Sequence, residues 1–389
     1  MRIHFMKSQF FVLSALVAVL CCMPASKVVA GDDIKTVAIG FAGPLVEGPA
    51  QSARDAALLA ISEINARPLQ IAGQKVILKL LDHDDKADVN IAVLTARYFV
   101  ASKVVAVIGH WNTATSIAVS NIYSDAGIVQ ISPSSTGSQF TQQGLSNTFR
   151  MVGHDGIRSG HIGAYAITTL RAQRIMVIDD GTVFGSAMAD QFGVYARENS
   201  GRIVGRATIS NKTSDYAPAL EMVRQTRPDL IFHAGRLYSG GLNHSESLLA
   251  GLRRLGFPKK IMLAEVTVDP GTMKEAALGG IDVFAVSPGI PLDKLPRWKA
   301  FQKSFSSQFQ SRITPYTPAS YDAVHVLAEA LRQANSLEPK KIESALRGIR
   351  YAGVTGLISF DEKGNLINPS YTVYQIREGA WTPIELIRR

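Results

Sequence analysis

The sequence predicts an α/β protein of two doubly wound parallel-sheet lobes facing a cleft, and three observations predict it. Short apolar runs closed by glycine or a polar turn alternate with helical stretches along nearly the whole chain. The alternation comes in two series, the second starting after Phe149-Arg150-Met151, with no long polar linker between them. No segment is of low complexity and no period of about 20 to 50 residues recurs, which excludes a solenoid.

The elements follow in order. TVAIGFAG from Thr36 is an apolar run ending in glycine, and the next stretch puts Ala53, Ala56, Ala57, Ala60 and Ile64 on one helical face. VILKLLDHDD with a helix over Ala87 to Val100, VVAVIGH with a helix from Thr113, and VQISP repeat the unit. In the second series a helix over Ile157 to Leu170 precedes RIMVIDD, one over Ser186 to Asn199 precedes IVGRATIS, and Tyr216 to Arg224 precedes DLIFHAG. Ser245 to Leu255 then leads to IMLAE, followed by DVFAVSP and helices over Trp298 to Gln308 and Tyr321 to Gln333. LISFDEKGN and YTVYQIREG close the chain as a hairpin-like pair with Gly364-Asn365 as its turn signal.

Composition sets the class. The 389 residues carry 41 Lys+Arg against 32 Asp+Glu, 46% hydrophobic residues, 32 Gly and 17 Pro, which excludes global disorder and a collagen-like chain. Residues 1–30 read as a secretory signal: Arg2 and Lys7 precede the apolar run Phe10 to Met23, and Val28-Val29-Ala30 sets a cut before Gly31. That run is shorter than the ~20 residues a bilayer crossing needs. Cys21 and Cys22 fall inside this segment, so the mature chain is expected to hold no disulfide; a lipid anchor through either is the weaker reading, because Leu20 and Cys21 precede them rather than small residues. Removing Arg2, Lys7 and Lys27 leaves 38 basic against 32 acidic residues, a net +6. Arg253-Arg254, Lys259-Lys260 and Lys340-Lys341 read as solvated helix ends, since a nucleic-acid surface needs denser charge interleaved with exposed aromatics.

In doubly wound sheets ligands sit beyond the carboxyl ends of the strands. After VVAVIG comes His110-Trp111-Asn112-Thr113-Ala114-Thr115, where hydroxyls at a helix start either cap its free amides or, with those amides, hold a carboxylate or phosphate. After VQIS comes Pro133-Ser134-Ser135-Thr136-Gly137-Ser138, which is either a plain turn or a donor-rich loop for a polar ligand. Glu265 ends IMLA as a lone carboxylate able to meet a cation, cap a helix or face solvent. Asp82-His83-Asp84-Asp85 reads as a polar strand end and not a metal site, because adjacent strand residues point to opposite faces. His110 reads as a hydrogen-bonded structural residue. Gly-x-Ser-x-Gly, His-Glu-x-x-His, a Walker loop and Cys-x-x-Cys are all missing, so no catalytic residue, metal or cofactor is assigned.

IKTVAIGFAGPL near the start, AVIGHWNTATSIAVSNIYSDAGIVQISPSSTGSQFT in the middle, the VFG of DDGTVFGSAMAD, and YAGVTGLISFDEKGN near the end together resemble the periplasmic solute-binding proteins of ABC transporters, in the branched-chain amino acid (leucine/isoleucine/valine) binding family. The resemblance implies the type I periplasmic binding fold, with crossovers near residues 150, 286 and 358. Lobe one would comprise 31–150 plus 287–358, and lobe two 151–286 plus 359–389. It further implies that Thr113, Ser134 and Thr136 hold a ligand carboxylate, that Glu265 holds its ammonium, that Phe184 supplies an aromatic from lobe two, and that Arg236, Tyr316 and Tyr321 line the rest. Two departures stand out: Arg236 where a strict branched-chain binder would carry tyrosine, and Gly48, beside Glu47, where it would carry an aromatic. Arg236 either binds a second acidic group on the ligand or pairs with Glu265 or Glu47.

The implied function is a periplasmic, monomeric receptor that closes two lobes on an amino acid or related small carboxylate and delivers it to an ABC transporter permease. A chemosensory component uses the same physics, and a secreted α/β enzyme is the alternative from another class. A two-lobe transcription factor is disfavoured by the export signal and the lack of an appended helix-turn-helix.

Overall fold

The computed structural model describes residues 34–46, 48–209, 215–235, 247–256, 258–266 and 270–387; the expected signal segment, Glu47 and Arg236 lie outside the described residues. The expected α/β architecture is present as two open sheets. The first contains β1 (Lys35–Gly43), β2 (Leu69–Ile71), β3 (Gln74–Asp84), β4 (Ala106–Ile108), β5 (Val129–Ser132) and β6 (Thr148–Arg150), in the order β2-β3-β1-β4-β5-β6. The second contains β7 (Arg174–Asp179), β8 (Arg202–Thr208), β9 (Leu230–Ala234), β10 (Lys260–Leu263) and β11 (Asp282–Pro288), and β12 (Tyr351–Ala352) pairs with β13 (Leu357–Ile358) as a separate ribbon. With β14 (Tyr371–Arg377) and β15 (Ala380–Ile387) the order of the second sheet is β15-β14-β11-β10-β9-β7-β8. Both sheets are parallel except at their edges, where β2 in the first and β14 and β15 in the second run antiparallel.

Among the described residues eleven helices cover the sheets: α1 (Pro49–Asn65), α2 (Val89–Ala101), α3 (Thr113–Asp125), α4 (Asp155–Ala164), α5 (Val183–Glu198), α6 (Ala217–Thr226), α7 (Leu248–Leu255), α8 (Pro270–Ala277), α9 (Trp298–Gln308), α10 (Tyr316–Ala334) and α11 (Pro339–Arg347). α4 runs on as one wide turn over Tyr165–Thr169. Strand residues alternate between two cores, as burial on both sheet faces demands. Ile175 and Val177 of β7 enter one core while Met176 and Ile178 enter the other. In β4, Ala106 and Ile108 face one side and Val107 the opposite one. The alanine face of α1 is what lets α10 pack closely on it: Ala53, Ala57 and Ala60 share a core with Ala319, Ala323, Val326 and Leu327.

The chain passes between the sheets three times. β6 ends at Arg150 and α4 starts at Asp155; β11 ends at Pro288, after which Ile290 and Leu292 join a core of the first lobe. The third passage comes later than residue 358, because Phe360 and Leu366 still pack in the first core and the chain joins the second sheet at Tyr371. The tail reading changes accordingly. Phe360 bridges Leu366 across the Asp361–Gly364 turn, whereas YTVYQIREG pairs with β15 through the turn at Glu378 and Gly379, so the two runs are not partners. The three passages are tied together: the Gly289 amide donates to Ser370 O at 2.7 Å, the Thr372 hydroxyl donates to Gly289 O at 2.8 Å, and the Tyr371 hydroxyl donates to His154 O at 3.3 Å.

Candidate functional site

Both sheets change winding direction at one point, between β1 and β4 in the first and between β7 and β9 in the second. Crevices open beyond the strand ends at such points. On the first lobe β4 and β5 are parallel neighbours, so the segments leaving them emerge side by side. That places Thr113, first residue of α3, against the Ser134–Gly137 loop. The Gly137 amide donates to Thr113 Oγ1 at 3.3 Å. With that oxygen accepting, the Thr113 hydroxyl proton remains able to donate to a ligand oxygen. Asn112 precedes α3 and makes no side-chain cap, so the free amides of the first turn keep their positive end of the helix dipole for an anion.

The loop is braced from below. Arg150, fully buried at the end of β6, donates through Nη1 to Ser135 O at 2.8 Å and through Nη2 to Gly137 O and Thr141 Oγ1, each at 2.9 Å. Burial lowers its pKa to about 10, leaving it charged at neutral pH. With its carbonyls held by Arg150, the loop gives its Ser135 amide to Ser132 Oγ at 2.9 Å and its Gly137 amide to Thr113, which fixes it against the start of α3. The Ser134 hydroxyl donates to Trp111 O at 2.7 Å, so it offers a ligand only its lone pairs in this arrangement. Thr136 is buried, and its carbonyl accepts the Asp155 amide at 2.8 Å where the chain enters the second lobe. Trp111 meets Tyr316 edge to face with centroids 5.4 Å apart, an aromatic wall on the same lobe.

The second lobe faces this with the ends of β7 and β10. Phe184, in the first turn of α5, is half-buried, with the Arg158 guanidinium 6.0 Å from its ring centroid. Glu265 follows β10, and its Oε1 accepts the Tyr316 hydroxyl at 2.7 Å and Arg158 Nη1 at 3.4 Å. Arg158 itself is fully buried on α4, and its Nη2 donates to Ala264 O and Val286 O. Burial opposes its charge, yet Tyr316, Glu265 and Asp155 together raise its pKa. Burial also pushes Asp155 up to about 6, against the pull of Arg158, Thr136 and Arg150.

Thr113, Ser134, Phe184, Glu265 and Tyr316 are thus linked, through Gly137, Trp111 and Arg158, into one contiguous group at the strand ends of the two lobes, with Thr136 buried beside Gly137. Tyr321 does not join them. Five residues along α10 turn it about 140° from Tyr316, and it lies against α1 and α9: its hydroxyl donates to Glu63, and its ring packs on Phe301 at 5.1 Å and His325 at 4.4 Å. Arg236, as stated, lies outside the described residues.

The chain is similar to known proteins over most of its length. The periplasmic binding protein family description matches residues 36–380. The chain belongs to that family. The Leu/Ile/Val-binding protein homolog 1 of Brucella abortus (strain 2308) is 29% identical over 324 residues, covering 82% of this chain and 84% of the relative. The leucine-, isoleucine-, valine-, threonine-, and alanine-binding protein of Pseudomonas aeruginosa is 27% identical over 360 residues, 92% of this chain and 93% of the relative. Among solved structures, an ABC transporter substrate-binding protein from Desulfitobacterium hafniense in complex with Leu aligns at a TM-score of 0.73 and 25% identity, over 90% of this chain and all of that one.

Within this periplasmic binding protein the polar strand end after β3 does what its geometry allows. Asp82 pairs with Arg54, His83 meets Thr95 at 2.8 Å, Asp84 accepts the Leu45 amide and Asp85 meets His110 Nδ1 at 2.7 Å, so the four side chains diverge. No group of three or more metal-ligating side chains occurs among the described residues. His110 is buried between Asp85 and Tyr123, as a structural residue should be. Three contributors went unread in the sequence: Trp111, Arg150 and Arg158. The buried arginines are single charges at the end of a strand and in a helix of small residues, and only the packing of distant elements gives them partners.

Proposed function

We propose that this periplasmic binding protein is an extracytoplasmic solute receptor that closes its lobes on an amino acid or related small carboxylate and delivers it to an ABC transporter permease. The observation that carries the reading is the anion-ready corner of the first lobe: the uncapped start of α3, the Thr113 hydroxyl and the Ser134–Gly137 loop braced by Arg150. A carboxylate there meets amide and hydroxyl donors without a formal charge at contact distance, a neutral solvation that suits reversible capture. Phe184 and Glu265 approach from the second lobe and Tyr316 from the first, so the ligand's remainder lies between faces that only meet when the lobes close. The Brucella and Pseudomonas relatives named for aliphatic amino acids, and the Desulfitobacterium structure holding Leu, support the ligand class. The charged start and apolar run of residues 1–30 support residence in the periplasm.

The test is calorimetric titration of protein freed of carried-over ligand by unfolding and refolding, against amino acids, aliphatic and aromatic carboxylates, and the corresponding primary amides. Carboxylates should bind and their amides should not, with Thr113→Ala weakening the carboxylate. Equal binding of acid and amide would remove the anion corner from the site.

A further inference from the structure

Among the described residues Glu265 is the acidic side chain placed to meet a ligand ammonium, and the structure gives it two partners already. Its Oε1 accepts Arg158 Nη1 at 3.4 Å from behind and the Tyr316 hydroxyl at 2.7 Å from across the cleft. The Arg158 side chain is 0% exposed while that of Glu265 is 40% exposed, so the guanidinium sits beneath the carboxylate, out of a ligand's reach but within reach of its charge. Arg158 cannot swing away, because its Nη2 is committed to the carbonyls of Ala264 and Val286 at the ends of β10 and β11. Among the described residues Asp155 attracts Arg158, and Arg150 is attracted by both Asp155 and Asp361. The Glu265 carboxylate thus already has a buried guanidinium beside it and is not a lone charge for a cation.

We infer that Arg158 is a specificity-determining residue: by neutralising Glu265 from behind, it makes the cleft a receptor for small carboxylates that lack a cationic amine. An ammonium placed on Glu265 from the cleft would lie roughly twice as far from the Arg158 guanidinium as from its counter-ion, and in a closed, low-dielectric cleft the repulsion offsets about half of the attraction. A neutral hydroxyl or amide N–H bears no such penalty and can still donate to Glu265 Oε2 or to the Tyr316 oxygen. Arg158 acts through Glu265 and does not touch the ligand. This rests on the reading of the cleft as a carboxylate receptor.

Matched pairs differing only in the amine separate the two ideas: leucine with 4-methylpentanoate and 2-hydroxy-4-methylpentanoate, and phenylalanine with 3-phenylpropanoate, titrated into the full protein freed of carried-over ligand. The expected result is that the amine-free acid binds at least as tightly as its amino acid in whichever skeleton fits, and that Arg158→Gln shifts the ratio toward the amino acid by about tenfold or more. Arg158→Gln also removes a buried brace, so Glu265→Gln serves as a second variant; it removes the charge that Arg158 neutralises, and should leave the amine-free acid the preferred ligand, whatever it does to either affinity. An amino acid preferred by more than about tenfold in the unmodified protein, with Glu265→Gln abolishing that preference, overturns the inference and leaves the carboxylate receptor standing. Binding by none of the carboxylates overturns the receptor reading and the inference with it.

Discussion

Single side chains at the cleft work by which atom of each is already committed. Thr113 accepts from Gly137 and keeps its proton, whereas Ser134 has donated its proton to Trp111. Thr113→Ala should therefore weaken a bound carboxylate by ~1 to 3 kcal/mol, while Ser134→Ala should cost less in affinity than in stability of the loop; calorimetry and thermal melts of the two variants separate these effects. Asp155 makes a pH prediction. Its folded pKa, about 6, lies above the ordinary 3.8 because burial penalises its charge, so between those values the folded chain holds a proton that the unfolded chain has lost. Its contribution to stability is thus largest below about pH 4, falls as pH rises through about 6, and is flat above. The stability of the unmodified protein minus that of Asp155→Asn should fall by roughly 2 to 3 kcal/mol across this window in denaturant titrations. A difference independent of pH would mean that Asp155 is not desolvated as described.

Elements decide what was readable in advance. Thr113 and the Ser134–Thr136 loop were legible because a short apolar run, a turn and a hydroxyl-rich start mark the end of a parallel strand wherever they occur, and neighbouring strands must bring such ends together. Tyr321 was assigned by resemblance alone, and the helical turn that separates it from Tyr316 carries it instead against α1 and α9. Arg150 and Arg158 were invisible for a different reason: most of their acceptors are backbone carbonyls, of the Ser135–Gly137 loop, of β11 and of Ala264 just past β10, which carry no side-chain signature. The same closeness between elements yields a test. A Cβ at Gly137 would stand 2.2 Å from Thr113 Cγ2, so Gly137→Ala should push the loop from α3, lowering both the melting temperature and ligand affinity. Thr113→Ser deletes the offending methyl and keeps the hydroxyl. In the double variant the losses should be markedly less than additive, which a double-mutant cycle measures directly. Arg150→Met should cost more than either, about 3 to 5 kcal/mol if its loop carbonyls are left unpaired in the interior.

At the scale of the molecule each sheet packs into hydrophobic cores of its own, and the described residues join the two lobes through bonded passages and side chains across the cleft. Of these the Tyr316 hydroxyl on Glu265, 2.7 Å long, links the start of α10 to the end of β10 and so ties one lobe to the other. A hydrogen bond to a charged acceptor is worth about 1.5 to 3 kcal/mol, and because it exists only in the closed arrangement it shifts the closed-to-open balance by roughly ten- to hundredfold. Tyr316→Phe removes it and little else, since the ring keeps its contact with Trp111 and the cores of both lobes are untouched. Without ligand the variant should show a larger radius of gyration by small-angle X-ray scattering than the unmodified protein, at a melting temperature within a few degrees. Saturating ligand should bring the two scattering curves together, because ligand contacts made only on closure replace the lost bond. Identical curves without ligand would show that closure is set by the hinge passages alone, and would shift attention to Gly153, where a Cβ would meet the buried Tyr371 hydroxyl at 1.9 Å.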